Sequence, residues 1–387
     1  MESERVKWIQ RLGLASLAVA VVAALAALWK REEITRLLAV NSLFAPDRIV
    51  ANFSNMDRAY LNVPLSQASG TRLPDGSPVP LPDGTEKWIA DRSITAIVVL
   101  KDGKVTHESY YLDTQPGDLR ISWSVAKSFL SLLTGILVDE GALTLSDPVE
   151  KYAPPLANSA YAGVSVQDIL QMESGVAFDE DYFNPDSDIN RMGRVIALGG
   201  ALDDFTADLS VRDRVPGAAM KYVSMDTHVL GMVLRGATDR SIPDLMAEKL
   251  TGPMGIGAAT YLTDGEGVAF VLGGLNMTTR DYARMGLLVA QGGQLDGRQI
   301  VPEDWINIST VPSALTEVGR MRYGYQWWMP ADVRAGEIMA QGVYGQFVYI
   351  DRARNVVIAV NAADRAFREP GVSESTIEMF RRIAAAQ

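Results

Sequence analysis

The sequence contains no cysteine and only two histidines, His107 and His228. The lack of cysteine excludes disulfides, zinc–thiolate sites and a cysteine nucleophile. A Ser-His-Asp triad would have to use one of the two histidines, and no Gly-x-Ser-x-Gly nucleophile elbow occurs in the 387 residues. No His-Glu-x-x-His pattern is present either, so we expect neither a metal ion nor a cofactor.

Basic residues are also in deficit, with 36 Lys and Arg against 47 Asp and Glu, and the net charge is −11. A nucleic-acid-binding protein normally carries a basic surface, so we expect no nucleic-acid partner. Apolar residues make up 48% of the chain and charged residues 21%, which is ordinary for a globular protein. The length fits one catalytic unit made of two intertwined subdomains.

Charge is absent from the 18-residue segment Leu12–Trp29. As a helix it would be about 27 Å long, close to a bilayer core of roughly 30 Å. We expect a single transmembrane helix with a cytoplasmic N-terminus, and hence a cell-membrane protein whose catalytic part is extracytoplasmic. A cleaved signal peptide ending at Ala24-Leu25-Ala26 and a buried core helix are the alternatives. The predicted division is an anchor and linker helix over residues 1–42, followed by one folded domain over 43–387.

Strand signals lie near both ends of the folded part. Ile94–Leu100 and Val105–Leu112 are apolar, β-branched runs on either side of Asp102-Gly103, which predicts a β-hairpin. Three more strands are expected near the C-terminus, at residues 337–339, 347–350 and 356–360. Helical patterns fill the middle of the chain, while the acidic segment 179–215 is expected to be an irregular cap. The sequence therefore predicts an α+β fold, with an antiparallel sheet built from both chain ends, flanking helices and an inserted, mainly helical subdomain.

The segment Ser-Trp-Ser-Val-Ala-Lys-Ser-Phe (122–129) carries a candidate nucleophile and base. Positions three apart share a helix face, so Ser124 and Lys127 point together if a helix starts near residue 122. A serine hydroxyl needs an adjacent base, and burial lowers the pKa of a lysine toward the neutral form that can act as one. The alternative is a solvent-facing lysine on an ordinary helix.

Two later segments offer partners for this pair. Lys-Tyr-Val-Ser (221–224) places a tyrosine hydroxyl where it can relay a proton, although by itself it also fits a core tyrosine. Gln-Gly-Val-Tyr-Gly-Gln (341–346) has glycines at a strand edge, where the backbone can approach a ligand. The backbone N–H groups of Val343 and Ser124 are candidates for an oxyanion hole.

In this order and at these separations, the three segments resemble the serine β-lactamase and penicillin-binding-protein superfamily. The resemblance is nearest to its class C-like branch, including 6-aminohexanoate-dimer hydrolases and related esterases. It extends over roughly residues 43–385, with further support from Leu-Ser-Asp-Pro-Val-Glu-Lys-Tyr (145–152) and Tyr-Gly-Tyr-Gln-Trp-Trp (323–328). It implies a β-lactamase-like serine hydrolase domain over 43–387.

The resemblance also implies residue roles. Ser124 would be acylated, Lys127 would be its base and Tyr222 would protonate the leaving group. The implied substrate-binding residues are Tyr182, Ser224 in the place of a usual asparagine, and Gly342. Of Trp327 and Trp328, one is expected to line the acyl pocket and the other the core.

The chain departs from this resemblance at Ala340 and Gln341, which stand where a Lys-Thr pair would be. Without that lysine a clamp for a substrate carboxylate is missing. The hypothesis is therefore a membrane-anchored serine hydrolase of small amides or esters. The alternatives are a D-aminopeptidase or weak β-lactamase, and a non-catalytic binding protein on the same fold. For His228 we expect a structural role.

Overall fold

The structure, a computed structural model, describes residues 7–8, 13–17, 20–22, 28–66 and 70–387. Within these ranges no helix has both the length and the apolar character needed to cross a membrane. This finding contradicts the predicted transmembrane helix, and with it the membrane partner and the cell-membrane location. Residues 12, 18–19 and 23–27 of the predicted helix lie outside the described residues. An 18-residue run is near the lower limit for a bilayer crossing, so length and composition were weak support.

In the described part of the chain the strands form three sheets. Their bounds are β1 Asn62–Ser66, β2 Ile94–Lys101, β3 Lys104–Tyr110, β4 Arg120–Ile121, β5 Ala259–Leu262, β6 Leu275–Met277, β7 Gln294–Leu295, β8 Arg298–Gln299, β9 Arg322–Tyr323, β10 Trp328–Met329, β11 Glu337–Gly342, β12 Gln346–Asp351 and β13 Val356–Ala362. The largest sheet has seven strands in the order β3-β2-β13-β12-β11-β10-β9, and all its pairs are antiparallel. Because β13 pairs with β2, this sheet joins the two ends of the domain, as predicted.

Helices cover both faces of this sheet. Most of them come between β3 and β9 in the sequence. From Arg31 onward the described α-helices are α1 Arg31–Ser42, α2 Ile49–Phe53, α3 Met56–Ala59, α4 Thr85–Asp91, α5 Val125–Asp139, α6 Val166–Leu170, α7 Asp188–Ala197, α8 Leu202–Ala207, α9 Ser224–Thr238, α10 Ile242–Met246, α11 Thr279–Ala290, α12 Glu303–Ser309 and α13 Val372–Ala386. Short 3₁₀ turns occupy Val149–Lys151 and Pro154–Asn158, and a π-helical turn occupies Ala247–Thr251. The α+β part of the predicted fold is confirmed.

Two helical layers bury the faces of the large sheet. On one face α4 and α13 meet, with Trp88 and Phe380 in an edge-to-face contact at 5.7 Å. On the other face α11 packs against β2, β12 and β13. A methyl group at Gly286 of α11 would lie 2.4 Å from the side chain of Val357, so only glycine permits this close approach. The sheet is therefore a fixed platform beneath the start of α5.

Helix α5 begins where the seven-stranded sheet and the four-stranded sheet meet. The smaller sheet has the order β1-β5-β6-β4, and β4 leads directly into the turn before α5. The Tyr282 hydroxyl of α11 donates to the carbonyl of Arg120 in β4 at 2.7 Å. The Arg120 side chain in turn donates to the carbonyl of Val50 at 2.9 Å. These contacts hold the polypeptide just before Ser124 against two separate elements, α11 and α2.

The segment 179–215 differs from its prediction. It contains α7 and α8 rather than an irregular cap. The buried residues Ile189, Met192 and Ile196 of α7 follow helical spacing, and this apolar face explains why the acidic segment folds. Helix α1 packs against α7, and the Arg36 side chain donates to the carbonyl of Ala197 at 3.0 Å. The predicted boundary between an anchor and linker helix over residues 1–42 and a folded domain over 43–387 stays a prediction.

Candidate active site

Ser124 lies immediately before α5 as its N-cap residue. Its side chain makes no capping hydrogen bond, so the hydroxyl is not consumed by the helix start. The preceding residue, Trp123, has φ of 42°, a left-handed conformation that costs a non-glycine residue about 1–3 kcal/mol. Phe53 packs edge-on against the Trp123 ring at 5.5 Å, which helps to hold this turn. The turn leaves Ser124 half-buried at the positive end of a 15-residue helix.

Lys127 follows one turn later and is only 2% exposed. Its Nζ donates to the carbonyl of Leu272 at 2.8 Å and to the Ser224 hydroxyl at 3.4 Å. Burial lowers the pKa of Lys127 to about 7, although the charges of Glu180 and Asp226 act in the opposite direction. A substantial fraction of Lys127 is therefore neutral near pH 7, as a general base requires.

Tyr222 lies beside both residues. Its ring stacks on Trp328 at 5.5 Å, and the Lys127 ammonium lies 5.5 Å from the centre of the Tyr222 ring. Burial and the charge of Glu180 raise the pKa of Tyr222, which outweighs the hydrogen bonds to Ser124 and Ser224 that lower it. The phenol therefore stays protonated at neutral pH and can serve as a proton donor.

Glu180 is a member of the site that the sequence did not single out. It accepts hydrogen bonds from the backbone N–H of Ser224, from the Ser224 hydroxyl at 3.2 Å and from the Tyr182 hydroxyl at 3.2 Å. Ser224 thus links Lys127 to Glu180. Burial raises the pKa of Glu180, while the charge of Lys127 lowers it. No local sequence pattern reveals this carboxylate, because its partner Ser224 lies 44 residues away.

The end of β11 approaches the backbone of the nucleophile. A methyl group at Gly342 would lie 2.7 Å from the carbonyl oxygen of Ser122 and 3.1 Å from the amide nitrogen of Ser124. Among the described residues, neither the N–H of Ser124 nor that of Val343 donates a hydrogen bond to another protein group. Two unpaired N–H donors next to a serine hydroxyl suit the stabilisation of an oxyanion.

These groups meet at one cavity of about 300 Å³, which we call the polar cavity. It is lined by Ser124, Glu180, Tyr182, Tyr222, Trp328, Gln341, Gly342, Val343, Phe367 and Arg368. The structure thus brings the sequence-predicted residues Ser124, Tyr182, Tyr222, Gly342 and Val343 together around a single space. Ser224 contacts the cavity residue Glu180, and Lys127 contacts Ser224. Trp328 lines this cavity, whereas Trp327 is fully buried in the core.

Two other features bear on the chemistry of the site. Arg368 is exposed, and its guanidinium lies 4.7 Å from the ring centre of Tyr182. No sequence motif around Arg368 identified it as a site residue. His228 lies outside the polar cavity, and its Nε2 is 2.8 Å from Oδ1 of Asp203. Arg235 donates a hydrogen bond to the same carboxylate oxygen. In the part of the chain that the structure describes, no three His, Asp or Glu side chains are grouped to hold a metal ion.

A model of the beta-lactamase family matches residues 87–374 of this chain, which is most of its length. The chain belongs to the beta-lactamase family. The matched range includes every residue that lines the polar cavity. As a member of this family, the protein is an enzyme of the hydrolase class.

Individual beta-lactamase-family relatives narrow the comparison. The chain is 28% identical over 311 residues to the 6-aminohexanoate-dimer hydrolase of Paenarthrobacter ureafaciens, covering 76% of this chain and 77% of that protein. A Bacillus anthracis structure, provisionally assigned as a 6-aminohexanoate-dimer hydrolase, superimposes with a TM-score of 0.77 at 22% identity, over 88% of this chain and 95% of that one. A family VIII carboxylesterase superimposes with a TM-score of 0.60 at 16% identity, over 78% and 95% respectively.

Proposed function

We propose that this protein is a serine hydrolase that cleaves small amides or esters through an acyl-enzyme on Ser124. The observation that supports this most strongly is that a serine hydroxyl and a protonated tyrosine line one cavity, and that a buried lysine with a pKa of about 7 lies one helical turn from the serine and beside the tyrosine ring. The family membership and the named activities of the relatives support the same reaction class.

In the proposed acylation step, neutral Lys127 takes the proton of the Ser124 hydroxyl while Oγ attacks the substrate carbonyl carbon. The N–H groups of Ser124 and Val343 stabilise the oxyanion that forms. Tyr222 donates its proton to the leaving nitrogen or oxygen as the bond to the carbonyl carbon breaks, and the proton on Lys127 restores the phenol. Water then attacks the acyl-enzyme, the acid is released and Ser124 regains its proton. Tyr182, Ser224 and Gly342 are proposed to position the substrate.

The proposal predicts that Ser124→Ala abolishes both p-nitrophenyl ester hydrolysis and labelling by a fluorophosphonate. The matched control is Ser131→Ala on the same helix, because the buried Ser131 hydroxyl has no hydrogen-bond partner among the described residues. That variant is expected to fold and to react like the wild type. Continued labelling of Ser124→Ala would contradict the assignment, and an unreactive wild type would favour a non-catalytic binding protein.

A D-aminopeptidase or weak β-lactamase activity is the second candidate, because Arg368 places a cation at the polar cavity. A guanidinium can pair with a substrate carboxylate in the absence of a lysine at position 340. Nitrocefin hydrolysis that is lost in Arg368→Ala would support this candidate. The replacement of lysine by the buried Ala340 argues for a low rate.

A further inference from the structure

A second cavity of about 140 Å³ adjoins the polar cavity, shares Ser124, Tyr182 and Val343 with it, and is called the apolar pocket here. Val40, at the end of α1, and Leu43 and Phe44 after it form one wall. The buried face of α7 faces this wall from the other side of the space. All of the first wall precedes residue 87, so it lies outside the range that the family model matches.

The lining of the apolar pocket carries no formal charge among the described residues. Two polar groups in it are buried without a hydrogen-bond partner, the Tyr60 hydroxyl and the Trp123 indole N–H, again within the part of the chain that the structure describes. An indole N–H can only donate, and a protonated phenol can accept a hydrogen bond but carries no negative charge, so neither group supplies a counter-ion to a cation. The pocket therefore favours hydrocarbon and disfavours an ammonium ion, which would lose its hydration without gaining a counter-ion.

The position of Tyr222 indicates which half of the substrate enters this space. Tyr222 lines the polar cavity and not the apolar pocket. Because the proposed proton donor must reach the leaving nitrogen or oxygen, the leaving group lies in the polar cavity. Ser124 lines both spaces, so the acyl half of the substrate is placed in the apolar pocket, away from Tyr222.

We propose that the apolar pocket binds an uncharged acyl chain of about six carbons and rejects an acyl chain that ends in an ammonium group. The size follows from the volume, since a protein cavity of about 150 Å³ holds a benzene-sized hydrocarbon. This inference rests on the proposed acyl-enzyme function. If it is correct, this chain prefers a different acyl group from the 6-aminohexanoyl group in the substrate named for the 6-aminohexanoate-dimer hydrolase of Paenarthrobacter ureafaciens.

The test compares p-nitrophenyl esters of acetic, hexanoic, decanoic and 6-aminohexanoic acids with the full chain. The kcat/KM for the hexanoyl ester is expected to exceed that for the acetyl ester by at least about tenfold, because each methylene adds apolar contact. We expect no further gain with the decanoyl ester. The 6-aminohexanoyl ester is expected to be at least about tenfold poorer than the hexanoyl ester.

Two variants fill the pocket from opposite walls. Val40→Trp acts from α1, and Gly193→Leu acts from α7, where an added Cβ meets no atom within 4 Å. Each is expected to lower the hexanoyl-to-acetyl ratio of kcat/KM by at least about tenfold. Leu38→Trp is the matched control on α1, since Leu38 is 63% exposed. Its ratio is expected to match that of the wild type.

The outcomes separate this inference from the function on which it rests. Ester turnover with equal kcat/KM for hexanoyl and 6-aminohexanoyl chains would overturn the pocket proposal and leave the serine hydrolase intact. A hexanoyl-to-acetyl ratio that neither Val40→Trp nor Gly193→Leu lowers would do the same. Absence of both turnover and fluorophosphonate labelling in the wild type would overturn the proposed function, and the pocket proposal with it.

Discussion

The two adjoining spaces that share Ser124 are built in different ways. The polar cavity collects hydroxyl, carboxylate, guanidinium and backbone N–H groups from five separate chain segments. The apolar pocket is a gap between α7 and the N-terminal residues around α1, with uncharged walls. Chemistry needs a few groups in fixed positions, whereas apolar binding needs only volume and an absence of charge. We therefore expect substitutions in the polar cavity to change rates for every acyl chain, and substitutions in the pocket to change the preference among chains.

Lys127→Met tests the base with the largest expected effect. Methionine has a similar length and suits the buried position, but it cannot accept the proton of Ser124. We expect kcat/KM to fall by at least about 10³-fold for acetyl and hexanoyl esters alike, in stopped-flow measurements with p-nitrophenyl substrates. Lys87→Met is the control, because the Lys87 side chain is 78% exposed and pairs with Asp91 on the surface. A rate loss confined to one acyl length would break the proposed division between the two spaces.

Tyr222→Phe tests the proton donor and separates amides from activated esters. The phenylalanine ring can keep the stacking on Trp328 while the hydroxyl is lost. An amide nitrogen must be protonated to leave, so kcat for a hexanoyl anilide is expected to fall by about 10³-fold. The p-nitrophenolate of the matching ester leaves without a proton, and we expect a loss below about tenfold there. Equal losses on the two substrates would argue that Tyr222 assists Ser124 and not the leaving group.

Gly342→Ala tests the oxyanion hole. The added methyl group collides with the backbone around Ser122 and Ser124, so the end of β11 must move away from the nucleophile. We expect kcat to fall by about 10²-fold with little change in the hexanoyl-to-acetyl ratio, since misplaced donors stabilise the transition state less. Gly117→Ala is the control, because nothing lies within 4 Å of its added Cβ. Wild-type activity in Gly342→Ala would exclude a close oxyanion role for this strand end.

The difference between local and long-range interactions explains which features the sequence could predict. Ser124 and Lys127 lie one helical turn apart, and the hairpin of β2 and β3 surrounds Asp102-Gly103, so local spacing was sufficient for both. Strand signals near both chain ends predicted a sheet that joins them, and the pairing of β13 with β2 makes this connection. In each of these places the decisive interactions are local or follow from a repeated pattern.

Other parts of the site have no such local signal. Glu180 depends on Ser224, and the apolar pocket depends on the packing of α1 against α7, both of which are long-range contacts. The apolar spacing of Ile189, Met192 and Ile196 could have identified α7, but the acidic composition of 179–215 pointed to a loop. The transmembrane prediction over Leu12–Trp29 was wrong because it rested on apolar length alone, near the lower limit for a bilayer crossing.

Glu180→Gln gives the smallest change in rate and the sharpest test of how the site is tuned. The Glu180 carboxylate raises the pKa of Lys127 by stabilising its charged form, against the larger effect of burial. In the wild type, neutral Lys127 is lost as the pH falls through about 7, so kcat/KM is expected to decline on the acidic side with that midpoint. Glutamine removes the charge but keeps an oxygen that can accept the Ser224 N–H.

The pKa of Lys127 is therefore expected to fall in Glu180→Gln, and the acidic limb of the kcat/KM profile is expected to move to lower pH. At pH 8, where most of the base is already neutral, we expect a change in rate below about threefold. Glu173→Gln is the matched control, since Glu173 is a buried glutamate that accepts the backbone N–H of Leu315 and does not act on Lys127. A limb that stays in place, or moves to higher pH, would mean that the titrating base is not Lys127 or that Glu180 does not act on it.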